Sequence, residues 1–539
     1  MTQQPSNRRR PHTVRRPFAR DEKGGVAMTA ALLLLPLTVL GFGAYDFGRA
    51  SLVRANLQDA LDASALAVAR SSETKPEALN AFGVAVLTNT LKQHGLDKSL
   101  TQVSFKVANG AVKADAQLAL KPVILKLFTQ RDMAVGAHSE VLVTKHPIEI
   151  ALVLDNTWSM TEPASSGGDK ITALEKAAVG FVTRMQGLAA KAGGGDAVKM
   201  GVVPFSATVN VSSGSAGSSW IDSQGLSPVN EGLFWDGGKG SPHSWKEVET
   251  PKRLALFQQL GIAWKGCVES RPYPHDVRDT AASSSDPATL FAPYFAPDEP
   301  DEEAEDGKDW NDYLDDGIHP SWDNSGNLFD KYWRHIQGNA PKYVAAGLKP
   351  ARGAKGPNNG CDTEPVTRLT TDLAKVKAAV TDMPVGGATN IPMGMVWGWH
   401  VLSPNAPFAD GSPYSKKEVK RVAILITDGE NALEVLNNKN QSKYTGVGYV
   451  WQNRLGTTAA DFNARKQAMD GRLAELCTNM KAKGITVFTV NVQVKGNSTA
   501  LMRNCASRPT YFQDVTDAGK LEKALDKIAE EITRLRISK

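Results

Sequence analysis

The 539-residue chain lacks the short signatures that announce most enzymes and metal-finger proteins. It has four cysteines and no C-x-x-C, which speaks against a zinc knuckle. Its nine histidines show no metal-ligand spacing. It contains no G-x-S-x-G, no H-E-x-x-H and no G-x-x-x-x-G-K-[ST], so nothing nominates a serine hydrolase, a zinc protease or a P-loop. Net charge is also scarce. The total is +5, and residues 1–25 account for all of it, with Arg8, Arg9, Arg10, Arg15, Arg16, Arg20 and Lys23 set against Asp21 and Glu22. The rest of the chain is neutral overall, so the basic character marks a short tail and not a nucleic-acid-binding surface.

Directly after the tail comes an uncharged stretch. From Gly24 to Tyr45 the chain reads GGVAMTAALLLLPLTVLGFGAY. As a helix this run is roughly 33 Å long, enough for a ~30 Å hydrocarbon core, and Pro36 and the glycines are tolerated in membrane helices. The basic flank places residues 1–23 in the cytoplasm and the chain after Asp46 outside it. The run is longer than the apolar region of a cleaved signal peptide and has no clear A-x-A site after it. A prepilin-type leader needs a glutamate five residues after a glycine, and Ala30 stands there after Gly25. The expectation is a single-pass anchor over residues 24–45. Cysteines in such a compartment pair. Four allow three pairings, and Cys267–Cys361 with Cys477–Cys505, each joining neighbours in sequence, is favoured. In the chain-entropy model these loops stabilise by roughly 4.7 and 3.5 kcal/mol.

The remaining length allows two to four domains. Residues 46–72 predict a helix, with Leu52, Leu57, Leu61 and Ala65 near helical spacing, and a second helix is expected over 76–93. Residues 101–146 alternate apolar and polar like half-buried strands, with Asn109-Gly110 as a hairpin turn. This predicts a small α+β stem over 46–146.

From residue 147 the period changes. EIALVLD (149–155), KMGVVPFS (199–206), RVAILITDG (421–429) and ITVFTVNVQ (485–493) are near-continuous apolar strands. Helices are expected over 170–185, 367–383, 390–403, 460–483 and 517–536. Strands buried on both faces and alternating with helices predict a doubly wound, mostly parallel α/β sheet over 147–539. Residues 207–366 break the pattern and read as an insertion tied down by the Cys267–Cys361 pair. Its acidic run DEPDEEAED (298–306) lacks the spacing of an EF-hand loop and is read as a solvated charged loop. Trp310, Trp322 and Trp333 are read as core of the insertion, and His400 as a packing residue.

The first strand runs into Asp155-Asn156-Thr157-Trp158-Ser159, a D-x-T-x-S at the carboxyl end of a parallel strand, where open α/β sheets bind ligands. Asp155, Thr157 and Ser159 alternate, so a tight loop can aim three oxygens at one centre. Alone the motif is weak, since a polar loop capping the next helix explains it too. Two more segments join it. GGATNIPMGM (386–395) sets Thr389 in a Gly-rich loop at a helix start, and ILITDGEN (424–431) sets Asp428 at a strand end. Two carboxylates and three hydroxyls are hard ligands, suited first to Mg²⁺, with Mn²⁺ or Ca²⁺ as alternatives.

This set resembles the metal-ion-dependent adhesion site of von Willebrand factor A (vWA) domains, D-x-S-x-S plus a later threonine and aspartate. The resemblance implies a Rossmann-like vWA fold. Asp155, Thr157 and Ser159 match the first loop, Thr389 the second and Asp428 the third. It also implies direct metal ligation by hydroxyls, at least one aspartate acting through water, and an open position for a partner's carboxylate. Thr157 keeps the hydroxyl where serine is usual, and Trp158 stands where glycine is common. The opening, VAMTAALLLLPLTVLGFGAYDFGRA with LQDALDASALAVA, resembles the TadE/TadG-like segment of Tad (tight adherence, Flp) pilus-assembly proteins, of which the TadG-like members join it to a vWA domain. The resemblance implies a bacterial inner-membrane protein with its C-terminal domain in the periplasm, acting with protein partners of the Tad machinery in pilus biogenesis and adhesion. A structural, pilin-like scaffold with a vestigial site is the alternative. A metal-assisted hydrolase needs a positioned base, for which the sequence offers no candidate.

Overall fold

The structure, a computed structural model, describes residues 25–71, 73, 75–108, 110–124, 131–142, 146–165, 167–192, 194–236, 246, 252–300, 311–314, 333–345, 356–494 and 498–537. The chain divides into two compact units. The first comprises Met1–Ala67, Asn80–Lys106 and Lys113–Glu140, and the second Val68–Leu79, Val107–Val112 and Val141–Lys539.

The first unit holds most of helix α1 (Gly25–Arg70), of helix α2 (Pro76–Gln93) and of a three-stranded sheet in chain order, β1 (Leu100–Ala108), β2 (Ala111–Leu120) and β3 (Met133–Leu142). The alternation read from the sequence is present on β2, where Ala114, Ala116 and Leu118 are buried and Lys113, Asp115 and Gln117 are exposed. On α1, Leu57, Leu61 and Ala65 are fully buried, but Leu52 is exposed. Asp46, expected as the first charge beyond a membrane, is buried and accepts from Val123 N and Ile124 N at 2.9 Å each. The membrane helix expected over 24–45 is not recovered as such. Among the described residues no helix is long and apolar enough to cross a membrane, and part of that run lies outside them. What is described there is the first half of α1, which exposes Met28, Leu32, Leu33, Leu34 and Leu37 before the helix turns polar at Arg49 and Arg54. The basic tail, residues 1–23, lies outside the described residues.

The second unit holds the expected sheet. Strand β4 (Ile148–Asp155) is buried at every position and pairs in parallel with β5 (Val198–Phe205) on one side and β9 (Lys420–Thr427) on the other. Beyond β9 lie β10 (Ile485–Val492) and β11 (Phe512–Val515), both parallel. Beyond β5 lies β8 (Thr367–Thr370), which is antiparallel. The sheet order is β11-β10-β9-β4-β5-β8. The segment 367–383 departs from expectation in two ways. Thr367–Thr370 is a strand and not the start of a helix, and the helix there, Leu373–Ala379, covers less than half of the expected span. Asp372 stops the strand and starts the helix by accepting from Ala374 N and Lys375 N.

Helix α3 (Lys170–Lys191) begins at Asp169, whose side chain accepts from Thr172 N at 2.9 Å. The helix Ile391–Leu402 (hereafter the glycine helix) is buried at all twelve positions. It lies close on the sheet because Gly394 and Gly398 face it: a Cβ would sit 2.4 Å from the Phe205 ring at the first and 2.4 Å from Val153 Cγ2 at the second. His400 on this helix is a packing residue, fully buried, edge-on to Phe291 and beside Arg271. Burial and the Arg271 charge hold its pKa well below the ordinary range.

The insertion is compact. Both expected disulfides are present, Cys267–Cys361 and Cys477–Cys505. Strand β6 (Val209–Asn210) pairs with β7 (Cys267–Val268), and Val366 N donates to Asn210 O at 2.8 Å, so the ends of the insertion meet. Phe234, Phe257, Phe295 and Tyr343 form edge-to-face pairs with centroids 5.0 to 6.3 Å apart. Trp333 is buried as expected, whereas Trp310 and Trp322 lie outside the described residues.

The acidic run is not simply a solvated loop. Residues 301–306 lie outside the described residues, but Asp298 and Glu299 are buried. Asp298 pairs with Lys342 at 2.9 Å and accepts from Tyr313 N and Leu314 N. Glu299 accepts from Tyr449 Oη at 2.8 Å and Asn440 Nδ2 at 3.1 Å. Burial outweighs these bonds and pushes its pKa to about 7 from 4.5. Between those two values the folded chain holds a proton that the unfolded chain has lost, so this group's contribution to stability falls as pH rises through the window. Relative to wild type, Glu299→Gln should therefore gain about 3 kcal/mol between pH 4.5 and pH 7. Urea unfolding across that range checks it, and a pH-independent difference would remove Glu299 as the cause.

Candidate metal centre

Three loops meet at the carboxyl ends of β4 and β9. These strands are neighbours, with Leu154 paired to Ile426, so Asp155 and the Thr427-Asp428 pair emerge side by side. The loop that carries Thr389, residues 386–390, leads into the glycine helix, which Asn390 caps by accepting from Met393 N at 3.1 Å. Backbone bonds tie it to the first loop: Gly386 N donates to Asn156 O at 2.8 Å and Trp158 N to Gly387 O at 3.3 Å. Ala432 N donates to Thr389 O at 2.9 Å and so joins the second and third segments.

The five side chains named from the sequence all come together. Asp155 Oδ1 accepts from Thr157 N at 2.9 Å and Thr157 Oγ1 at 2.7 Å. Thr157 Oγ1 lies 3.0 Å from Ser159 Oγ, which donates to Asp428 Oδ1 at 2.7 Å. A Cβ on Gly429 would lie 3.4 Å from Thr389 Oγ1 and 3.7 Å from Ser159 Oγ, so both hydroxyls face the turn after Asp428. Asp155, Thr157, Thr389 and Asp428 are all buried, while Trp158, between the ligands, is 65% exposed at the rim.

Two further residues belong to the site and were not read from the sequence. Thr427 Oγ1 donates to Asp155 Oδ2 at 2.5 Å. Its place, the last residue of β9 beside the end of β4, could have nominated it. Lys170, the first residue of α3, puts its ammonium 2.7 Å from Asp428 Oδ2 and 2.8 Å from Glu162 Oε2. Only its position one residue after a helix cap was visible in sequence, and that suggests nothing more than a solvated end.

Electrostatically the site is strained toward a cation. Burial first, then the charge of Asp428, raise the pKa of Asp155 to about 7 against the hydrogen bonds of Thr427 and Thr157. A hard divalent ion between the carboxylates would reverse the second effect, and every donor present is oxygen. Among the described residues no group of three or more His, Cys, Asp or Glu suited to a metal occurs. This set is of another kind, two carboxylates and three hydroxyls, and its chemistry fits Mg²⁺, Mn²⁺ or Ca²⁺.

Residues 24–71 match the family model described as putative Flp pilus-assembly TadE/G-like. No curated protein matches the chain. Among solved structures, the pilus adhesin SpaC from Lactobacillus rhamnosus GG is 13% identical, with 81% of this chain and 34% of that one covered, at a TM-score of 0.30. The chain thus spans about a third of the length of that adhesin. The vWF domain of the type V pili tip protein Mfa5 from Porphyromonas gingivalis is 10% identical, covering 73% and 98%, at 0.31. The adhesive tip pilin GBS104 from Group B Streptococcus agalactiae is 13% identical, covering 72% and 100%, at 0.32. Through residues 24–71 the chain is similar to the TadE/G-like proteins of Flp pilus assembly.

Proposed function

We propose that this chain is a pilus-assembly and adhesion protein of the Tad (Flp) system whose larger unit is a vWA-type domain. In this reading Asp155, Thr157, Ser159, Thr389 and Asp428 hold a divalent cation, Mg²⁺ first among the candidates. The observation that carries it is the convergence of five oxygen donors from three separate loops on one rim of a parallel sheet. The metal, when bound, supplies a Lewis-acidic position for a carboxylate of a protein partner. Trp158, exposed at that rim, supplies apolar contact area beside it. The role is binding and not catalysis. The family match supports a pilus-associated role in the cell envelope, and two disulfides suit an oxidising compartment.

Titration of the full chain with Mg²⁺ or Mn²⁺ in a calorimeter should give saturable binding of one ion. The same ion should raise the unfolding temperature over that in EDTA, with about 2.7 kcal/mol of stabilisation at a hundred times Kd. Neither heat nor shift would remove the metal from the proposal. One observation favours that second reading, a structural scaffold with a vestigial site: Lys170 already satisfies Asp428. Pilus assembly in that case survives loss of the ligands.

A further inference from the structure

Lys170 is not a surface lysine that happens to reach an acid. Its side chain is 5% exposed. Its backbone is fixed as the first residue of α3, directly after the Asp169 cap, and its N–H donates to Glu162 O at 3.2 Å. Pro163 and Asp169 form a β-bridge that closes the loop between Glu162 and the helix. The ammonium is thereby held between two carboxylates, one buried (Asp428) and one exposed (Glu162). Both oxygens of Asp428 are engaged, Oδ1 by Ser159 and Oδ2 by Lys170.

We infer that Lys170 is a resident counter-cation of the metal centre, a positioning residue that lowers its affinity for a divalent ion. The charges of the buried groups set the direction. Asp155 and Asp428 alone would bring −2 to a divalent ion, a neutral match. Lys170 reduces the charge of the buried groups to −1, with only the exposed, water-screened Glu162 to offset it, so the buried charge no longer matches a divalent ion. An ion arriving at Asp428 meets a like charge 2.7 Å from the same carboxylate, in a site water reaches poorly. The inference rests on the metal-site reading and adds to it what sets the strength of binding.

The test is Mn²⁺ calorimetry on the full chain at pH 8 for wild type, Lys170→Gln and Lys170→Arg, with circular dichroism to show that each is folded. Lys170→Gln should bind Mn²⁺ at least ~10-fold more tightly than wild type, the equivalent of about 1.4 kcal/mol. Lys170→Arg, which keeps the charge, should bind no more tightly than wild type. Lys170→Met serves the same arm if the glutamine chain does not fold. Equal or weaker binding by the neutral variant overturns this inference and leaves the metal site standing. Binding by the neutral variant alone supports it, with Lys170 as the block. No binding by any of the chains overturns the metal-site reading and this inference with it.

Discussion

Asp155→Asn is expected to weaken divalent-metal binding by more than about 100-fold while leaving the metal-free fold at least as stable at pH 8. Changes outside a metal's direct ligands already cost 10–100-fold, and this one removes half of the site's negative charge. The fold should tolerate it for a reason visible in the hydrogen bonds. Asparagine keeps the shape and one carbonyl oxygen for Thr157 N and Thr157 Oγ1. Its amide can donate to Thr427 Oγ1, since a hydroxyl serves as donor or acceptor. What is lost is a buried charge that burial and Asp428 both oppose. Because that opposition raises the pKa to about 7 from 3.8, the folded chain carries the ionised form at a cost above pH 7, and the neutral variant escapes it. Calorimetry with Mg²⁺ and urea unfolding in EDTA read the two halves separately. Unchanged metal affinity would sink the site, and a collapsed fold would show that Asp155 is structural first.

The second large effect lies in the insertion. Glu269→Ala should destabilise the chain by about 3–5 kcal/mol. Glu269 is buried and accepts from Arg253, Arg454 and Tyr444. Arg253 is itself buried, with Asn230 Oδ1, Pro293 O and Tyr444 Oη as its other acceptors. Truncating the one carboxylate strands two guanidinium groups, one of them fully enclosed, and their desolvation is no longer offset. The measurement is chemical unfolding followed by tryptophan fluorescence. Because Arg454 lies far beyond the insertion in sequence, the loss should appear in the main transition and not as local fraying of the insertion. A change under 1 kcal/mol would show that water reaches the cluster.

The sequence made the sheet legible because β4, β5, β9 and β10 are buried on both faces and so read as unbroken apolar runs. The strands it concealed are at the edges. Thr-Arg-Leu-Thr in β8 and Phe-Gln-Asp-Val in β11 each span four residues with polar members, too short for a period to show. The candidate site was legible for the same reason as the sheet, since its acids and hydroxyls come directly after strand ends or at a Gly-rich helix start. Lys170 was hidden because its partner, Asp428, is 258 residues away and no local pattern encodes the pair. Asp298 and Glu299 misled in the opposite direction. A run of acids reads as solvated until Lys342, Tyr449 and Asn440 arrive from distant segments to satisfy the first two.

The edge strands also bear on assembly. A sheet bounded by four-residue β8 on one side and four-residue β11 on the other presents few free backbone groups in a row, and β8 runs against its neighbour. Short edges are poor templates for strand addition. Polymers that grow by donating a strand from one subunit into the next therefore find no long seam on this sheet. What this sheet leaves open to other chains is the set of loops at its strand ends, where the Trp158 indole stands exposed.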